Sequence, residues 1–552
     1  MEPPRRCYPV IVGLCLLCAG APALALYDPA KEYAETPEVA ARFPDPVVEI
    51  ATPAFRAGRT DFTSQEEMIA FVEELARRNP ALRVRIVGFS QEHRAIPLLL
   101  FSRPAGSDGD IVKSGKPTVL VIGQQHGNEP AGGEAVLALA LQLSGEEGGR
   151  LLERINVLLV PRANPDGAFH FIRGLVNGAD VNRDHLLEST PEGRALGRVF
   201  ADYQPDVVLD CHEFGVKTRW FEKFHALQGY DALIQYATIS NLPPALTEAS
   251  ERLFREPLLR AFERAGLRHS WYYTSSYDVN DKRVSMGGVV PDTGRNIAGL
   301  RNAVSFLLET RGVGIGRAHY KRRVYTHLVA MNAILASSAT HADELVALNR
   351  HLRQEIAAAA GQGDLVVASA AAATRHTLEM LNPETGADTS IEVDWRSALD
   401  IRPLLTRSRP YGYLLPSSEA RAAEHLHALG VSVMRLDEGT TLDVGRYRVT
   451  AADEARKDDV RRNDEDPPTS VVRITSVVEA VRVDFKAGDF YVPLDQPLAN
   501  LVAAALEPET QSSYAANRLL TLPPVGNAAR VLPLYRVPER PSVAMTVWEG
   551  GD

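Results

Sequence analysis

Residues 123–144, GQQHGNEPAGGEAVLALALQLS, carry the polar groups around which the first half of this chain is organised. The apolar run at residues 118–122 predicts a buried strand, and a helix is expected from about Gly133. His126 and Glu129 lie between the two. Because ligands bind just beyond the carboxyl ends of strands in open α/β sheets, these two side chains are candidates for a functional site.

The spacing of His126 and Glu129 is not distinctive by itself. With 14 histidines, the chain contains HxxE four times, at His126/Glu129, His185/Glu188, His341/Glu344 and His376/Glu379. Only the first pair directly follows an apolar strand, and glycines around it permit a sharp turn. Pro130 suits a first helical position. We therefore expect the other three pairs to be solvated side chains on helix faces.

Length and composition restrict the class of protein. A chain of 552 residues predicts two domains. A hydrophobic content of 45% and a charged content of 24% are typical of a soluble globular protein. The net charge of −10 argues against a nucleic-acid-binding protein, which normally has a basic stripe.

Residues 1–25 have the pattern of a secretory signal, with cleavage predicted near Ala25. Arg5 and Arg6 precede an apolar stretch that is too short to span a bilayer, and no later segment reaches 18 consecutive apolar residues. We expect a secreted or periplasmic bacterial protein with no membrane span after signal removal. Only Cys211 of the four cysteines follows residue 25, so no intrachain disulfide is expected.

Strands alternate with helices in the first part of the chain, which predicts an α/β fold with a mixed, mostly parallel central sheet flanked by helices. Four apolar runs end in histidine, aspartate, glutamate or arginine, or are closely followed by them. These runs are residues 118–122, 155–160, 207–209 and 303–308. The sequence therefore predicts one polar site where these strands end.

Composition divides the chain after the signal into three parts. We predict a catalytic domain at 26–345, a helix and alanine-rich linker at 346–379, and a smaller accessory domain, α/β or β-rich, at 380–552. The mixed charge run at 456–466 is expected to be a solvated loop. The role of the accessory domain and the oligomeric state are left open.

The residue types suit hydrolytic zinc chemistry. Such sites commonly use three protein ligands and leave one position for water, and two histidines with one glutamate form one such set. His126, Glu129 and His212 are the candidates, for one zinc ion per chain. Glu309, after an apolar run, is the candidate general base.

Three further side chains complete the candidate site. Asp180 can accept a hydrogen bond from the second ring nitrogen of a ligand histidine. Arg173 and Arg183 supply donors for a developing oxyanion and for a substrate carboxylate.

These residues belong to an ordered set of motifs over about residues 60–335. The motifs are HGNE at 126–129, NPDG at 164–167, DVNR at 180–183, His212 after a strand, and ETR at 309–311. In order and spacing the set resembles the zinc carboxypeptidase family of carboxypeptidases A and B. The chain resembles a bacterial secreted member of that family with an additional C-terminal domain.

The resemblance implies a role for each motif residue. His126, Glu129 and His212 would bind zinc, and Asp180 would orient His126. Glu309 would activate the water and pass its proton to the leaving amine. Arg173 would stabilise the oxyanion, and Asn182 with Arg183 would hold the substrate's terminal carboxylate.

One feature of the family is missing. The family has a substrate-capping tyrosine some twenty residues before the catalytic glutamate, whereas no tyrosine occurs between Asp278 and Leu308. Tyr273 and Tyr277 are the nearest. The residue that replaces the capping group and the preferred terminal residue are therefore left open.

The predicted function is a secreted zinc metallocarboxypeptidase that acts on peptides with a free C-terminal carboxylate. Two alternatives stay open. One is a zinc amidohydrolase acting on cell-wall peptides or N-acyl amino acids, because the same catalytic groups serve any amide. The other is a non-enzymatic, carboxypeptidase-like binding protein.

Overall fold

The computed structural model describes residues 27–103, 108–460, 470–522 and 530–550. The predicted signal segment lies outside the described residues. The α-helices are α1 Pro37–Ala40, α2 Gln65–Arg78, α3 Asp108–Lys113, α4 Pro130–Leu143, α5 Glu146–Leu151, α6 Pro165–His170, α7 Pro191–Tyr203, α8 Thr218–Phe224, α9 Pro244–Ala249, α10 Glu256–Arg264, α11 Gly294–Leu300, α12 Tyr320–Thr340, α13 Ala342–Ala358, α14 Ala420–Ala428 and α15 Ala499–Leu506.

The described residues form three sheets, which are built from the following strands. They are β1 Leu82–Phe89, β2 Ala95–Phe101, β3 Thr118–Gly123, β4 Asn156–Val160, β5 Val207–Gly215, β6 Ala232–Tyr236, β7 His269–Trp271, β8 Thr274–Ser275, β9 Arg283–Ser285, β10 Val304–Val313, β11 Asp364–Leu381, β12 Asp388–Ser408, β13 Gly412–Leu415, β14 Met434–Leu436, β15 Thr440–Arg456, β16 Ser470–Phe485, β17 Phe490–Pro493, β18 Val531–Val537 and β19 Met545–Val547.

The central sheet has eight strands in the order β1-β2-β4-β3-β5-β10-β6-β7. The pairs β3/β4, β3/β5, β5/β10 and β6/β7 are parallel, and the pairs β1/β2, β2/β4 and β6/β10 are antiparallel. One apolar cluster packs α2, α4 and α12 on one face, and a second packs α7 and α11 on the other. The predicted mixed α/β sheet flanked by helices is confirmed.

The two strands that carry His212 and Glu309 are longer than the sequence predicts. Strand β5 continues to Gly215 and β10 to Val313, so both residues lie within strands rather than after them. In both strands the apolar run ends before the strand does, because the last part of each strand includes polar residues of the candidate site. Their backbones stay in the ladder because β5 and β10 pair with each other in the middle of the sheet.

The alanine-rich part of the predicted linker is a strand. Residues 364–379 belong to β11, which pairs with β12 in a four-stranded sheet of order β11-β12-β9-β8. The 345/346 boundary falls within α13. Alanine favours helices locally, but pairing with β12 determines the conformation here.

The C-terminal region also contains a seven-stranded sheet of order β16-β15-β18-β13-β17-β14-β19, accompanied by α14 and α15. Its apolar cluster includes Tyr413 and Leu426 together with Leu186 and Leu300 from the first part of the chain. The two parts are therefore joined by shared apolar packing. Within the described ranges, no helix combines the length and apolar character that a membrane span needs.

Candidate active site

His126 and Glu129 lie on the short connection between β3 and α4. Gln124 has a φ of 49°, and Pro130 is the first residue of α4. A Cβ atom on Gly127 would lie 1.8 Å from the carbonyl carbon of Gly167. Only glycine permits so close an approach of the two loops.

The NPDG motif holds the neighbouring loop in place. The Asn164 side chain accepts a hydrogen bond from Gly167 N at 2.8 Å and donates one to Gly174 O at 3.1 Å. Gly127 N donates to Arg173 O at 3.3 Å. The motif therefore fixes the segment carrying Arg173 against the loop carrying His126.

His212 and Glu309 are neighbours across the parallel pair β5/β10, where they are in register. Residues in register on parallel strands point to the same face of a sheet. His212 is fully buried and Glu309 is buried as well. The sheet itself thus sets the distance between a candidate ligand and the candidate general base.

The three predicted ligands come together. His126 Nδ1 lies 2.9 Å from Glu129 Oε1, His212 Nδ1 lies 3.0 Å from Glu129 Oε2, and the two Nδ1 atoms are 3.0 Å apart. Two ligands of a tetrahedral zinc ion with bonds of about 2.0–2.1 Å are ~3.3 Å apart. The donor set is of the right kind and nearly of the right size for one zinc ion.

Each of the two candidate ligand histidines has a carboxylate close to its Nε2 atom. Asp180 Oδ1 lies 3.0 Å from His126 Nε2, and Asp210 Oδ2 lies 2.9 Å from His212 Nε2. Both contacts leave Nδ1 of each ring directed at the ligand set. Of these two carboxylates, Asp180 was predicted from the sequence and Asp210 was not. Asp210 could have been predicted as a partner of His212, because residues two apart on a strand share a face.

Comparison with known proteins identifies the family. The zinc carboxypeptidase family model matches residues 68–217. Carboxypeptidase 2 of Trichophyton rubrum is 30% identical over 488 residues, which cover 88% of this chain and 88% of that protein. The chain belongs to the zinc carboxypeptidase family. It is a zinc-dependent metallocarboxypeptidase, a hydrolase acting on peptide bonds.

Other carboxypeptidases are also similar. Carboxypeptidase 2 of Trichophyton equinum is 31% identical over 470 residues, covering 84% of this chain and 85% of that protein. The crystal structure of carboxypeptidase A from Helicoverpa armigera is 17% identical and covers 53% of this chain and 79% of that chain, with a TM-score of 0.40.

The electrostatics of this carboxypeptidase favour a cation at the ligand set. Burial opposes ionisation of Glu129, but His126 and His212 hold the pKa of its carboxyl well below the usual value. Burial likewise opposes ionisation of Asp180, whose pKa is held low by His126 and Arg173. Ionised carboxylates beside two histidines form an environment that favours binding of a divalent metal ion.

His212 shows the same preference for positive charge. Burial lowers the pKa of its imidazole, but the carboxylates of Asp210 and Glu129 outweigh burial and raise that pKa to about 10. The two carboxylates therefore favour positive charge at this ring, as expected at a site that holds a cation.

Arg173 reaches the ligand set from the solvent side. Its Nη1 lies 3.0 Å from Glu129 Oε1 and its Nη2 lies 3.0 Å from Asp180 Oδ2, while 38% of its side chain is exposed. A guanidinium in this position can donate to an oxyanion that forms beside the ligands. Arg311 of the ETR motif is buried and pairs with Glu35.

Asn182 and Arg183 are placed differently from each other. The Asn182 amide is buried, its Oδ1 accepts a hydrogen bond from Gly294 N at 2.8 Å, and its Nδ2 lies 3.2 Å from His212 Nε2. Arg183 Nε donates to Asp459 Oδ2 at 2.8 Å. The run at 456–466 was predicted to be a solvated loop, but Asp459 contacts the site. Residues 461–466 lie outside the described residues.

Neither tyrosine near the missing capping position contacts the ligand set through its hydroxyl. Tyr273 is buried in an apolar cluster, and Tyr277 accepts a hydrogen bond from Arg219. The loop before α11 instead brings Asp292 within 3.8 Å of Lys457. No local sequence pattern predicts this contact, because Asp292 and Lys457 are far apart along the chain.

Proposed function

We propose that this carboxypeptidase removes the last residue from peptides with a free C-terminal carboxylate, using Glu309 as general base and general acid. The observation that supports the proposal is the register of Glu309 with His212, which are buried neighbours on two parallel strands. A binding protein has little need of a carboxylate at that position.

Zinc would be held by His126, Glu129 and His212. A zinc ion there supplies a Lewis acid that polarises a carbonyl and makes water a nucleophile at neutral pH. The burial of all three donors keeps bulk water from competing with them for the ion.

Glu309 is proposed to transfer a proton from the attacking water to the leaving group. Its carboxylate takes a proton from the attacking water and returns it to the nitrogen of the leaving amine, as general base and then general acid. Arg173 donates hydrogen bonds to the oxyanion of the tetrahedral intermediate. Its partly exposed position leaves the guanidinium accessible from the substrate side.

Arg183 is proposed to bind the terminal carboxylate, since guanidinium and carboxylate pair with matching geometry. We propose that Asn182 acts mainly on His212, since its amide is buried against that ring. Cleavage of the signal near Ala25 and export to the periplasm or medium complete the proposal. The mature N-terminus, read by Edman sequencing of the exported protein, tests export.

The decisive experiment is paired. Zinc content and release of C-terminal residues from a peptide library are measured for the parent chain and for Glu309→Gln, with the same peptides as C-terminal amides. We expect one zinc in both proteins and turnover of the free acids by the parent alone. Equal cleavage of the amides would favour the amidohydrolase alternative. Turnover that survives a strong chelator would contradict the zinc mechanism.

A further inference from the structure

The C-terminal region reaches the candidate carboxylate-binding residue. Asp459 lies three residues after the end of β15, and its Oδ2 accepts a hydrogen bond from Arg183 Nε at 2.8 Å. Arg183 Nη1 donates to Asn182 O, also at 2.8 Å. Because these two acceptors bind different nitrogens of Arg183, they fix the plane of its guanidinium. One belongs to the DVNR motif and the other lies 276 positions away.

The turn that carries Asp459 is itself held firmly. The side-chain amide of Gln511 accepts a hydrogen bond from Asp458 N at 2.8 Å and donates one to Asp458 O at 2.9 Å. Arg473 Nη2 donates to both oxygens of the Asp458 carboxylate at 3.0 Å. A side chain presented by a turn with such support is pre-organised.

A second contact ties the same turn to the loop before α11. Lys457 Nζ lies 3.8 Å from Asp292 Oδ2, and both side chains are buried. The next helix, α11, begins at Gly294, whose N–H donates to Asn182 Oδ1. The turn therefore contacts Arg183 on one side and, on the other, the loop that leads to α11, where Gly294 N donates to Asn182.

We propose that Asp459 is a positioning residue that orients Arg183 for the substrate's terminal carboxylate, so that the C-terminal region takes part in substrate recognition. This inference rests on the proposed function of Arg183. An arginine side chain has large rotamer entropy, and fixing it before binding reduces the cost of ordering it in the complex. If Asp459 instead competed with substrate for Arg183, its removal would tighten binding of carboxylates.

The test measures binding without turnover. The zinc-loaded full chain carrying Glu309→Gln serves as parent. Three N-acetylated dipeptides, with an aromatic, a basic and an acidic last residue, are titrated by calorimetry, each as free acid and as C-terminal amide. The readout is the ratio of acid to amide affinity, which a general loss of structure would not lower selectively.

We expect Asp459→Ala to lower this ratio about ten-fold, as for loss of a hydrogen bond to a charged group, and Asp459→Asn to lower it less. Arg183→Ala should lower it at least as much. Asp453→Ala, which removes an exposed carboxylate from β15, should leave it unchanged.

Two results would overturn the inference, and they differ in what else they imply. An unchanged or increased ratio in Asp459→Ala, with a decreased ratio in Arg183→Ala, rejects the positioning role and leaves the proposed function intact. A parent that binds acid and amide equally for all three dipeptides rejects carboxylate recognition by Arg183, and with it the inference.

Discussion

The Nε2 atom of His212 lies 2.9 Å from Oδ2 of Asp210, two residues earlier on the same strand. Gln125 Nε2 donates to the other oxygen of Asp210 at 2.6 Å, which fixes the carboxylate. The two candidate ligand histidines are thus oriented in the same way, His126 by Asp180 and His212 by Asp210.

Asp210→Asn should therefore weaken zinc binding by about 10–100-fold, because the carboxylate both orients the ring and increases its basicity. Zinc affinity is measured by competition with a chromogenic chelator. Asp202→Asn, on the exposed side of α7, is the control and should bind zinc like the parent. Unaltered affinity in Asp210→Asn would show that the contact does not act on the ligand.

Gly127→Ala should disturb the ligand loop. The new Cβ atom would fall 1.8 Å from the Gly167 carbonyl carbon, so the backbone has to move. We expect destabilisation of about 1–3 kcal/mol, as for overpacking, together with reduced zinc affinity. Gly215→Ala, with no atom within 4 Å of its Cβ, should change neither quantity. Chemical unfolding and metal titration of both variants test this.

Arg173 and Arg183 should affect different kinetic constants. Arg173 is proposed to donate to the oxyanion of the transition state, so Arg173→Ala should lower kcat about 10²–10³-fold. Arg183 is proposed to bind the terminal carboxylate, so Arg183→Ala should mainly raise KM. Steady-state kinetics on one peptide, with zinc content as control, separates the two. A pure KM effect for Arg173→Ala would contradict its assignment to the oxyanion.

Glu188 is buried, contrary to the expectation of a solvated helix face, and it should make stability depend on pH. Burial raises the pKa of its carboxyl to about 7, although Arg301 opposes the shift. A raised folded-state pKa means that the acid's contribution to stability is fully present below about pH 4.5 and is lost as pH rises to 7. Above that pH an ionised carboxylate is kept buried.

Glu188→Gln should therefore gain stability relative to the parent as pH rises. The difference in free energy of unfolding should grow by on the order of 3 kcal/mol between pH 4.5 and pH 8. Urea unfolding at several pH values measures it. Glu248→Gln, at an exposed position of α9, should run parallel to the parent. If the free energy of unfolding of Glu188→Gln also ran parallel to that of the parent, the pKa of the Glu188 carboxyl would not be shifted.

Short-range patterns were sufficient for much of the fold and site. The apolar run of β3, the glycines around Gly127 and Pro130 at the start of α4 predicted the strand, turn and helix around His126. The motif order predicted the family, which the comparisons confirm. Such features depend on residues within one or two turns of each other, where sterics and local hydrogen bonds act directly.

Sequence alone determined which side chains are available for zinc chemistry and which local turns present them. Tertiary structure decided the register that sets Glu309 beside His212, the extended conformation of the alanine-rich β11, and the contact of Asp459 with Arg183. The physical reason is that each of these depends on pairing between distant segments. Their free energy comes from sheet hydrogen bonds and shared burial, which no local pattern encodes.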